Sequence, residues 1–359
     1  MRKILKLNNN KINLLIFGSY GFKNIGTEAI LDGIINRFTK NNKNNSITIV
    51  SNDLNYSSFI HNYSFISKFS FSFIKSFFLS NIIILGGDEL INDDYYNNYH
   101  YDQKYKNKFN LYEGKLLYLL LIFSKIFNKK IILYSIGVNK IKNKLTKFLI
   151  KNLFPLANHI TVRDNFSENN LKKIGIKNTL LIKDPSIDMM PISKKKLKQI
   201  LTNENLDGNK YVVITLKNDK NFNSFSLNLL VKIANWIISK YNYKIILIPC
   251  SNHPYNLYEQ DLIILNKFYK KIVNKKMVKI IKKNYHPKII EGIISKSSLI
   301  IGMRMHPIIF ANKFNVPNIC IPYSKKHKYV LKSLNFTSKF IKNNVNEIDF
   351  QNIIKKTIK

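Results

Sequence analysis

Short apolar segments alternate with longer amphipathic ones along most of the chain. The short segments are continuous runs rich in Ile, Leu and Val, which is typical of strands buried on both faces of a parallel sheet. Helices must cover such a sheet, and the amphipathic segments between the runs predict those helices. Strands are predicted at residues 11–17, 46–51, 81–85, 130–136, 159–162, 179–182, 211–216, 244–249, 278–281, 298–302 and 318–322.

The predicted strands fall into two sets, which are separated by residues 190–208. This stretch contains Pro191 and many lysines but no apolar run, so we interpret it as a linker. The expected organisation is an N-terminal Rossmann-like domain at 1–189, the linker, a C-terminal Rossmann-like domain at 209–335 and a helical tail at 336–359. The sequence therefore predicts an α/β fold with two parallel sheets and a cleft between the domains.

The formal net charge of +37 carries limited information about partners. The chain has 58 Lys+Arg against 21 Asp+Glu, and 54 of the basic residues are lysines spread along the sequence. Nucleic-acid-binding proteins usually concentrate this charge on one surface, and neither a zinc-finger spacing nor an RNA-binding aromatic motif occurs, so no nucleic-acid partner is expected. Diffuse positive charge is still able to attract a protein to an anionic membrane.

The same pattern bears on the expected location of the protein. The longest apolar run, residues 116–123, is far shorter than the roughly 20 residues that span a bilayer. The first ten residues lack the apolar centre of a secretory signal, and two cysteines are too few for a disulfide framework. We expect a cytoplasmic protein with peripheral contact at the inner face of the cell membrane.

Candidate chemistry lies at the ends of the strands, because open parallel sheets bind ligands beyond the carboxyl ends of their strands. The turn after the first strand contains Gly18, Gly21 and Gly26 and leads into a helix that Thr27 caps. Its backbone N–H groups are suited to an anion or a hydroxyl-rich ligand. The glycine spacing is not G-x-G-x-x-G, so no NAD is expected. A tight structural turn is the alternative.

Two further strand ends carry charged residues. Asp88 and Glu89 follow a glycine pair after the third strand, where they either orient sugar hydroxyls and exchange protons or stabilise a helix N-terminus. Arg163 follows the fifth strand and is able to grip a phosphate or carboxylate with two donors. An internal pair between Arg163 and Asp164 is the alternative.

The segment 299–311 gives the strongest signal in the sequence. A buried strand ends at Gly302, Arg304 and His306 follow, and a helix begins. A two-donor cation, an imidazole and a helix N-terminus at one point suit a doubly charged phosphate. The chain has only four arginines, and two of them, Arg163 and Arg304, stand at strand ends.

The other histidines carry less information. His253 follows the strand at 244–249 and is a further candidate for the same site, whereas His61 has no supporting context. The sequence contains no H-E-x-x-H, no C-x-x-C and no Asp-rich loop, so neither a metal nor a cofactor is expected.

Several motifs stand in the order of one known family. They are G-x-Y-G-F-x-N-x-G at 18–26, G-G at 86–87, V-R-D-x-x-S at 162–167, D-P at 184–185, G-x-R-x-H at 302–306, and V-P at 316–317 followed by Tyr323. The chain thus resembles the polysaccharide pyruvyl transferase family over residues 12–335. It departs from the family at Thr27, where Asp is usual, at Met305, where Leu is usual, and at Lys217, where Arg is frequent.

This resemblance implies a glycosyltransferase-B-like pair of domains and a transferase of polysaccharide biosynthesis, serving an exopolysaccharide, capsule or cell-wall polymer. The donor is phosphoenolpyruvate, which acts as a co-substrate without a cofactor. The acceptor is a sugar of a polysaccharide or of a lipid-linked oligosaccharide precursor. Pyruvate is attached as a ketal and phosphate is released.

The resemblance also assigns roles to residues. The N-terminal domain takes the acceptor and the C-terminal domain the phosphoenolpyruvate, with His306 and Arg304 as catalytic residues. Phosphoenolpyruvate is expected to bind to Arg163, Lys217, Arg304 and His306. The acceptor is expected to bind to Gly21, Asn24, Glu28, Gly86, Gly87, Asp88 and Glu89. His253 and Tyr323 are further candidates.

Two alternative functions remain at this point. A glycosyltransferase that uses a nucleotide sugar has the same architecture, but it usually places a Glu in the second domain to hold the ribose, and the nearest Glu here is Glu291 on the preceding helix. A non-catalytic basic protein of the membrane surface is the other alternative, although it does not need the glycine turns or the pair of Arg304 and His306.

Overall fold

The computed structural model describes residues 11–40, 44–87, 110–219, 224–322, 325–334, 336, 338–341 and 345–358. They form two compact units, which are described separately below. The first unit consists of the described parts of 1–22 and 27–189. The second consists of 190–359 together with the short segment Lys23–Gly26.

The first unit is built on a seven-stranded sheet whose described strand pairs are all parallel. The strands are β1 (Asn13–Phe17), β2 (Ser46–Ser51), β3 (Ser64–Ser67), β4 (Ile82–Gly86), β5 (Lys130–Ile136), β6 (His159–Val162) and β7 (Leu180–Leu181). Their order across the sheet is β3-β2-β1-β4-β5-β6-β7. The helices are α1 (Ile25–Thr39), α2 (Leu54–Ile60), α3 (Phe71–Leu79), α4 (Asn110–Ile126), α5 (Lys144–Leu153) and α6 (Asn165–Ile174).

Helices cover both faces of this sheet. Alternate residues of a strand point to opposite faces, so each central strand contributes to two apolar cores. Leu15 on β1 and Ile83 on β4 are register partners and share one apolar core with α3, α4, α5 and α6. Their neighbours Ile16 and Ile84 pack on the opposite face against α1. Burial on both faces explains why these strands are continuous apolar runs.

The second unit is built on a six-stranded sheet, again with parallel pairs. Its strands are β8 (Tyr211–Thr215), β9 (Lys244–Leu247), β10 (Val278–Ile280), β11 (Leu299–Gly302), β12 (Asn318–Cys320) and β13 (Lys339–Phe340). Their order is β10-β9-β8-β11-β12-β13. The helices are α7 (Lys194–Asn203), α8 (Ser224–Tyr241), α9 (Asp261–Lys271), α10 (Pro287–Ser295), α11 (Met305–Lys313), α12 (Lys325–Ser333) and α13 (Glu347–Lys355).

The two segments that were expected to lie outside the domains contribute to the second unit. Residues 190–208 contain α7, whose buried Leu197 lies against Gly292 of α10. The tail at 336–359 supplies β13 to the sheet, and Phe350 and Ile354 of α13 are buried in the main core of the unit. An amphipathic helix needs an apolar surface to pack on, and the second unit provides it for both segments.

The predicted fold class, two Rossmann-like domains with parallel sheets, is confirmed. In each sheet the first three strands run in order from an inner position to one edge. The chain then crosses back and adds the remaining strands on the other side of the first strand, which is the Rossmann order. The pattern missed β3, which is only half-buried and lacks a continuous apolar run, and the two-residue strand β13. Among the described helices, none combines the length and apolarity needed to cross a bilayer.

Candidate active site

The ends of three adjacent strands of the second unit bring together Lys217, Arg304 and His306, which are three of the four residues predicted to bind phosphoenolpyruvate. In the order β9-β8-β11, the segment after β9 contains Cys250–Asn252, Lys217 follows β8, and Arg304 follows β11. Because these strands are parallel, the three segments leave the sheet at the same edge.

Arg304 is held in a fixed position by two carboxylates. Its Nε and Nη2 donate to the two carboxylate oxygens of Asp261 at 3.0 and 2.5 Å, and its Nη1 donates to Oε2 of Glu259 at 2.6 Å. The Arg304 side chain is 10% exposed. The bidentate contact with Asp261 and the additional hydrogen bond to Glu259 together fix the orientation of the guanidinium group.

Asp261 also organises the loop that follows β9. Its Oδ2 accepts hydrogen bonds from the backbone N–H groups of Cys250 and Ser251, both at 3.0 Å. The Asp261 side chain is fully buried at the first residue of α9. One carboxylate therefore connects the end of β9, the start of α9 and the cation that follows β11.

Lys217 completes this group by an ion pair with Glu259, with 2.6 Å between Nζ and Oε1. Burial alone would raise the pKa of Glu259, but the charges of Arg304 and Lys217 hold it at about 2. We call Lys217, Glu259, Asp261 and Arg304 the Arg304 cluster. Its two cations and two carboxylates leave no formal net charge when all four are ionised.

His306 lies beside the Arg304 cluster in the first turn of α11, and Arg304 is the N-cap of that helix. The ring packs directly on Gly26, since a Cβ atom at that position would lie 2.1 Å from Nδ1 of His306. Only glycine allows so close an approach of a side chain to the backbone. Gly26, the last residue of the predicted glycine-rich turn, and the predicted G-x-R-x-H motif therefore meet in the second unit.

Backbone pairing holds Gly26 in this place. The N–H of Ile25 donates to the carbonyl of Cys250 at 2.8 Å, and the N–H of Asn252 donates to the carbonyl of Lys23 at 3.0 Å. Asn24, which was predicted to bind the acceptor, pairs with Ser251, and its side chain accepts from the N–H of Gly26 at 2.9 Å.

His253 stabilises a turn next to this region. Its Nδ1 accepts hydrogen bonds from the backbone N–H groups of Tyr255 and Asn256, both at 3.1 Å. Burial lowers the pKa of His253 to about 4, although Glu259 nearby opposes the shift. The imidazole is therefore neutral near pH 7 and holds the backbone through Nδ1. Its assignment to the phosphoenolpyruvate site stays a prediction.

Arg163 belongs to the first unit, where it is buried and 1% exposed. Its Nη1 lies 3.3 Å from Oδ2 of Asp184, and its Nε lies 3.8 Å from Oδ2 of Asp164. Asp164 also caps α6 by accepting from the N–H of Ser167 at 2.7 Å. The structure thus contains the internal pair that was the alternative for Arg163, and a role in binding phosphoenolpyruvate stays a prediction.

Glu28, predicted to bind the acceptor, is buried in a second charged group of the first unit. Its Oε1 accepts from the N–H of Gly21 at 2.9 Å, and its Oε2 lies 2.9 Å from Nε2 of His61. The other ring nitrogen of His61 lies 3.3 Å from Oδ1 of Asp32. Burial alone would lower the pKa of His61, but the hydrogen bonds and charges of Asp32 and Glu28 raise it to about 9.

This shift makes the stability of the protein depend on pH. His61 gains a proton more readily in the folded chain, where its pKa is about 9, than in the unfolded chain, where it is about 6.5. Its contribution is therefore complete below pH 6.5 and is lost as the pH rises through 9. We expect the free energy of unfolding to fall by about 3 kcal/mol across this range.

Urea unfolding between pH 6 and 9.5 measures this effect. His61→Gln is expected to remove most of the decrease, because glutamine has no proton to lose. His159→Gln is the matched control, since His159 lies at the half-buried start of β6. A decrease of the same size in the His61→Gln variant would show that other groups cause it.

The remaining predicted residues are placed as follows. Gly86 accepts a hydrogen bond through its carbonyl from the Tyr20 hydroxyl at 3.1 Å. Gly87 has a φ of +88°, and a Cβ atom there would lie 2.0 Å from Cγ2 of Ile30. Backbone conformation and packing therefore both require glycine at this position. Asp88, Glu89 and Tyr323 lie outside the described residues.

Sequence reasoning missed Glu259, Asp261 and His61. The two carboxylates stand ten or more residues beyond the end of β9, and the only signal was that acidic residues are rare in this chain. His61 gave no signal, because its partner Glu28 is 33 residues away on another element.

Solved structures with a similar fold include complexes with UDP. HepE of Anabaena in complex with UDP and glucose is 11% identical, with a TM-score of 0.59 over 96% of this chain and 89% of HepE. S. aureus MnaA with UDP is 12% identical, with a TM-score of 0.59 over 97% and 87%. Methanocaldococcus jannaschii UDP-GlcNAc 2-epimerase in complex with UDP-GlcNAc and UDP is 14% identical, with a TM-score of 0.56 over 96% and 92%. This likeness confirms the glycosyltransferase-B-like fold.

The sequence itself identifies the family. No curated protein matches the chain. The profile of the polysaccharide pyruvyl transferase family matches residues 24–325, which include the segment at Gly26, the Arg304 cluster and His306. Since that match spans well over half of the sequence, the chain belongs to the polysaccharide pyruvyl transferase family and is a transferase.

Proposed function

We propose that the protein transfers pyruvate from phosphoenolpyruvate to a sugar of a polysaccharide or of its lipid-linked precursor, as a cyclic ketal, with release of phosphate. The observation that carries the proposal is the position of His306 beside the Arg304 cluster, at the first turn of α11. The imidazole of His306 stands in the first turn of a helix, next to a guanidinium group that two carboxylates hold in place.

The reaction needs an acid at the methylene carbon of phosphoenolpyruvate. Protonation of that carbon forms the methyl group, and two sugar hydroxyls bond to the adjacent carbon as its bond to the phosphate oxygen breaks. Of the two protons that the hydroxyls lose, one restores the acid and one leaves with phosphate. We assign His306 as this acid, because histidine is the side chain that most often acts as a general acid or base in enzymes.

The cations of the site are proposed to bind the anionic groups of the substrate. Phosphoenolpyruvate carries a phosphate and a carboxylate, and Arg304 and Lys217 both stand at the strand ends that face such a ligand in a parallel sheet. Glu259 and Asp261 fix the orientation of Arg304 before the substrate arrives. A preorganised cation stabilises developing charge without reorganising during the reaction.

A nucleotide-sugar glycosyltransferase is the competing function, since the similar solved structures contain UDP. One observation disfavours it. Glu291, the nearest candidate for holding a ribose, is fully buried, and its Oε1 accepts from Nζ of Lys313 at 2.8 Å. A carboxylate packed in this way is an unsuitable ligand for ribose hydroxyls.

A thermal-shift comparison separates the two functions. We expect phosphoenolpyruvate to raise the Tm and UDP-sugars at equal concentration to leave it unchanged, because a ligand stabilises only the fold that binds it. Phosphate release from phosphoenolpyruvate in the presence of an acceptor sugar is the matching activity measurement. Stabilisation by UDP-sugars alone would overturn the proposal. Phosphate release that does not depend on the acceptor would indicate a phosphatase instead.

A further inference from the structure

Two neighbouring helices of the first unit expose apolar side chains on their outer faces. On α3, Phe71, Ile74 and Phe78 recur at helical spacing and point away from the core, whereas Phe73 and Phe77 of the same helix are buried. On α4, Leu119 and Phe123 follow the same pattern, and Phe127 comes directly after the helix. These six side chains, between 44 and 80% exposed, are called the outer apolar face.

The outer apolar face is one surface and not a set of isolated residues. The rings of Phe78 and Phe127 meet edge to face, with 4.9 Å between their centroids, and Phe127 lies 6.4 Å from Phe123. The buried sides of both helices contribute to the same apolar core, so their outer sides face away from the same face of the sheet. An amphipathic helix of a protein without a partner carries polar residues there.

The amino-acid composition of the chain does not explain this surface. A sequence rich in Phe throughout would expose Phe in both units. Among the described residues, the exposed phenylalanines number seven in the first unit and one, Phe314, in the second. The exposed phenylalanines are therefore concentrated in the first unit, and four of the seven belong to the outer apolar face.

Charge favours one kind of partner. Residues 54–87 and 114–163, which contain α3, α5 and nearly all of α4, have 11 lysines and no Asp or Glu, whereas the segment 88–113 between them has six acidic residues. Helix α5 packs beside α4 and adds the exposed Leu145 and Phe148 next to Lys144, Lys147 and Lys151. Aromatic and aliphatic side chains surrounded by lysines suit the interface of an anionic bilayer.

We propose that the outer apolar face and the lysines around it dock the protein on an anionic lipid bilayer. The exposed rings enter the boundary between headgroups and acyl chains, and the lysine side chains extend to the lipid phosphates. A second copy of this chain is a poorer occupant, because the same lysines would then face each other across the contact. The inference does not depend on the donor that the enzyme uses.

Vesicle co-sedimentation of the full chain tests the inference. We expect binding to vesicles with 30% phosphatidylglycerol in phosphatidylcholine, and at least tenfold weaker binding to phosphatidylcholine alone. The variant Phe71→Ser/Ile74→Ser/Phe123→Ser is expected to bind at least tenfold more weakly. The control Val273→Ser/Tyr329→Ser/Ile348→Ser removes three exposed apolar residues of the second unit and is expected to bind like the wild type.

The lysines are tested in the same way. Lys144→Gln/Lys147→Gln/Lys151→Gln on α5 is expected to remove most of the preference for anionic vesicles. Lys194→Gln/Lys195→Gln/Lys196→Gln, on the exposed side of α7, is expected to keep it. Raising the salt concentration should weaken binding of the wild type, because it screens charges at the surface.

Three results would overturn the inference. The first is equal binding by the wild type and the Phe71, Ile74 and Phe123 variant, or no binding by either. The second is self-association of the wild type that this variant abolishes, which would assign the face to a second copy. The third is a loss of folding stability in the variant, which would show that the chain itself covers the face. Phosphate release with a water-soluble acceptor is measured in parallel and reports on the proposed reaction separately.

Discussion

Replacing His306 with Ala is expected to lower the kcat of phosphate release by about 10²- to 10⁴-fold and to change the KM for phosphoenolpyruvate less than about threefold. A general acid acts in the transition state, so its loss reduces kcat more than ground-state binding. If His306 only bound the phosphate, KM would rise and kcat would stay the same, which would contradict the assignment.

Gly26→Ala provides an independent test of the same group. The added methyl would lie 2.1 Å from Nδ1 of His306, so the ring has to move. We expect a large loss of kcat in this variant, but little further loss when it is combined with His306→Ala, because the two changes act through one side chain. Additive losses would show that Gly26 acts in another way. His159→Ala is the control and is expected to keep full activity.

Asp261→Ala is expected to lower the free energy of unfolding by about 3–5 kcal/mol. The change leaves the buried guanidinium of Arg304 without its bidentate partner and removes the acceptor of the N–H groups of Cys250 and Ser251. Glu259 still contacts Arg304, but it also pairs with Lys217. Urea unfolding, with the m-value checked, measures the difference.

Two further variants show whether this loss has the stated cause. Asp207→Ala removes an exposed carboxylate that accepts one hydrogen bond from Thr202, and we expect less than about 0.5 kcal/mol. Asp261→Leu/Arg304→Leu removes both buried charges and is expected to recover part of the stability lost in Asp261→Ala. A double variant less stable than Asp261→Ala would show that the uncompensated charge of Arg304 is not the cause.

The sequence predicted the central strands well, for a physical reason. Strands such as β1, β4 and β11 are buried on both faces, so every position is apolar and the run is continuous. Edge strands lack this constraint. Of the described strands, β3 is half-buried and β7 is exposed, so their residues follow no strict pattern.

The site could be predicted only in part. Arg304 and His306 were found because a parallel sheet gathers the residues that follow its strands. Their carboxylate partners could not be predicted. Asp261 and Arg304 are 43 residues apart in the sequence, and no periodic pattern indicates a contact between them. The role of His61 could not be predicted either, because it depends on Glu28 and Asp32, which lie against the two ring nitrogens and come from another helix.

The segment Lys23–Gly26 has a consequence for the way this protein can be divided. It belongs to the second unit, although the rest of that unit begins at Met190, so the unit is discontinuous in the gene. A fragment expressed from residue 190 onward lacks the donor to the carbonyl of Cys250 and the acceptor of the N–H of Asn252. The second unit is therefore not an independent module. Recombination at residue 190 would transfer His306 without Gly26, the glycine against which its ring packs.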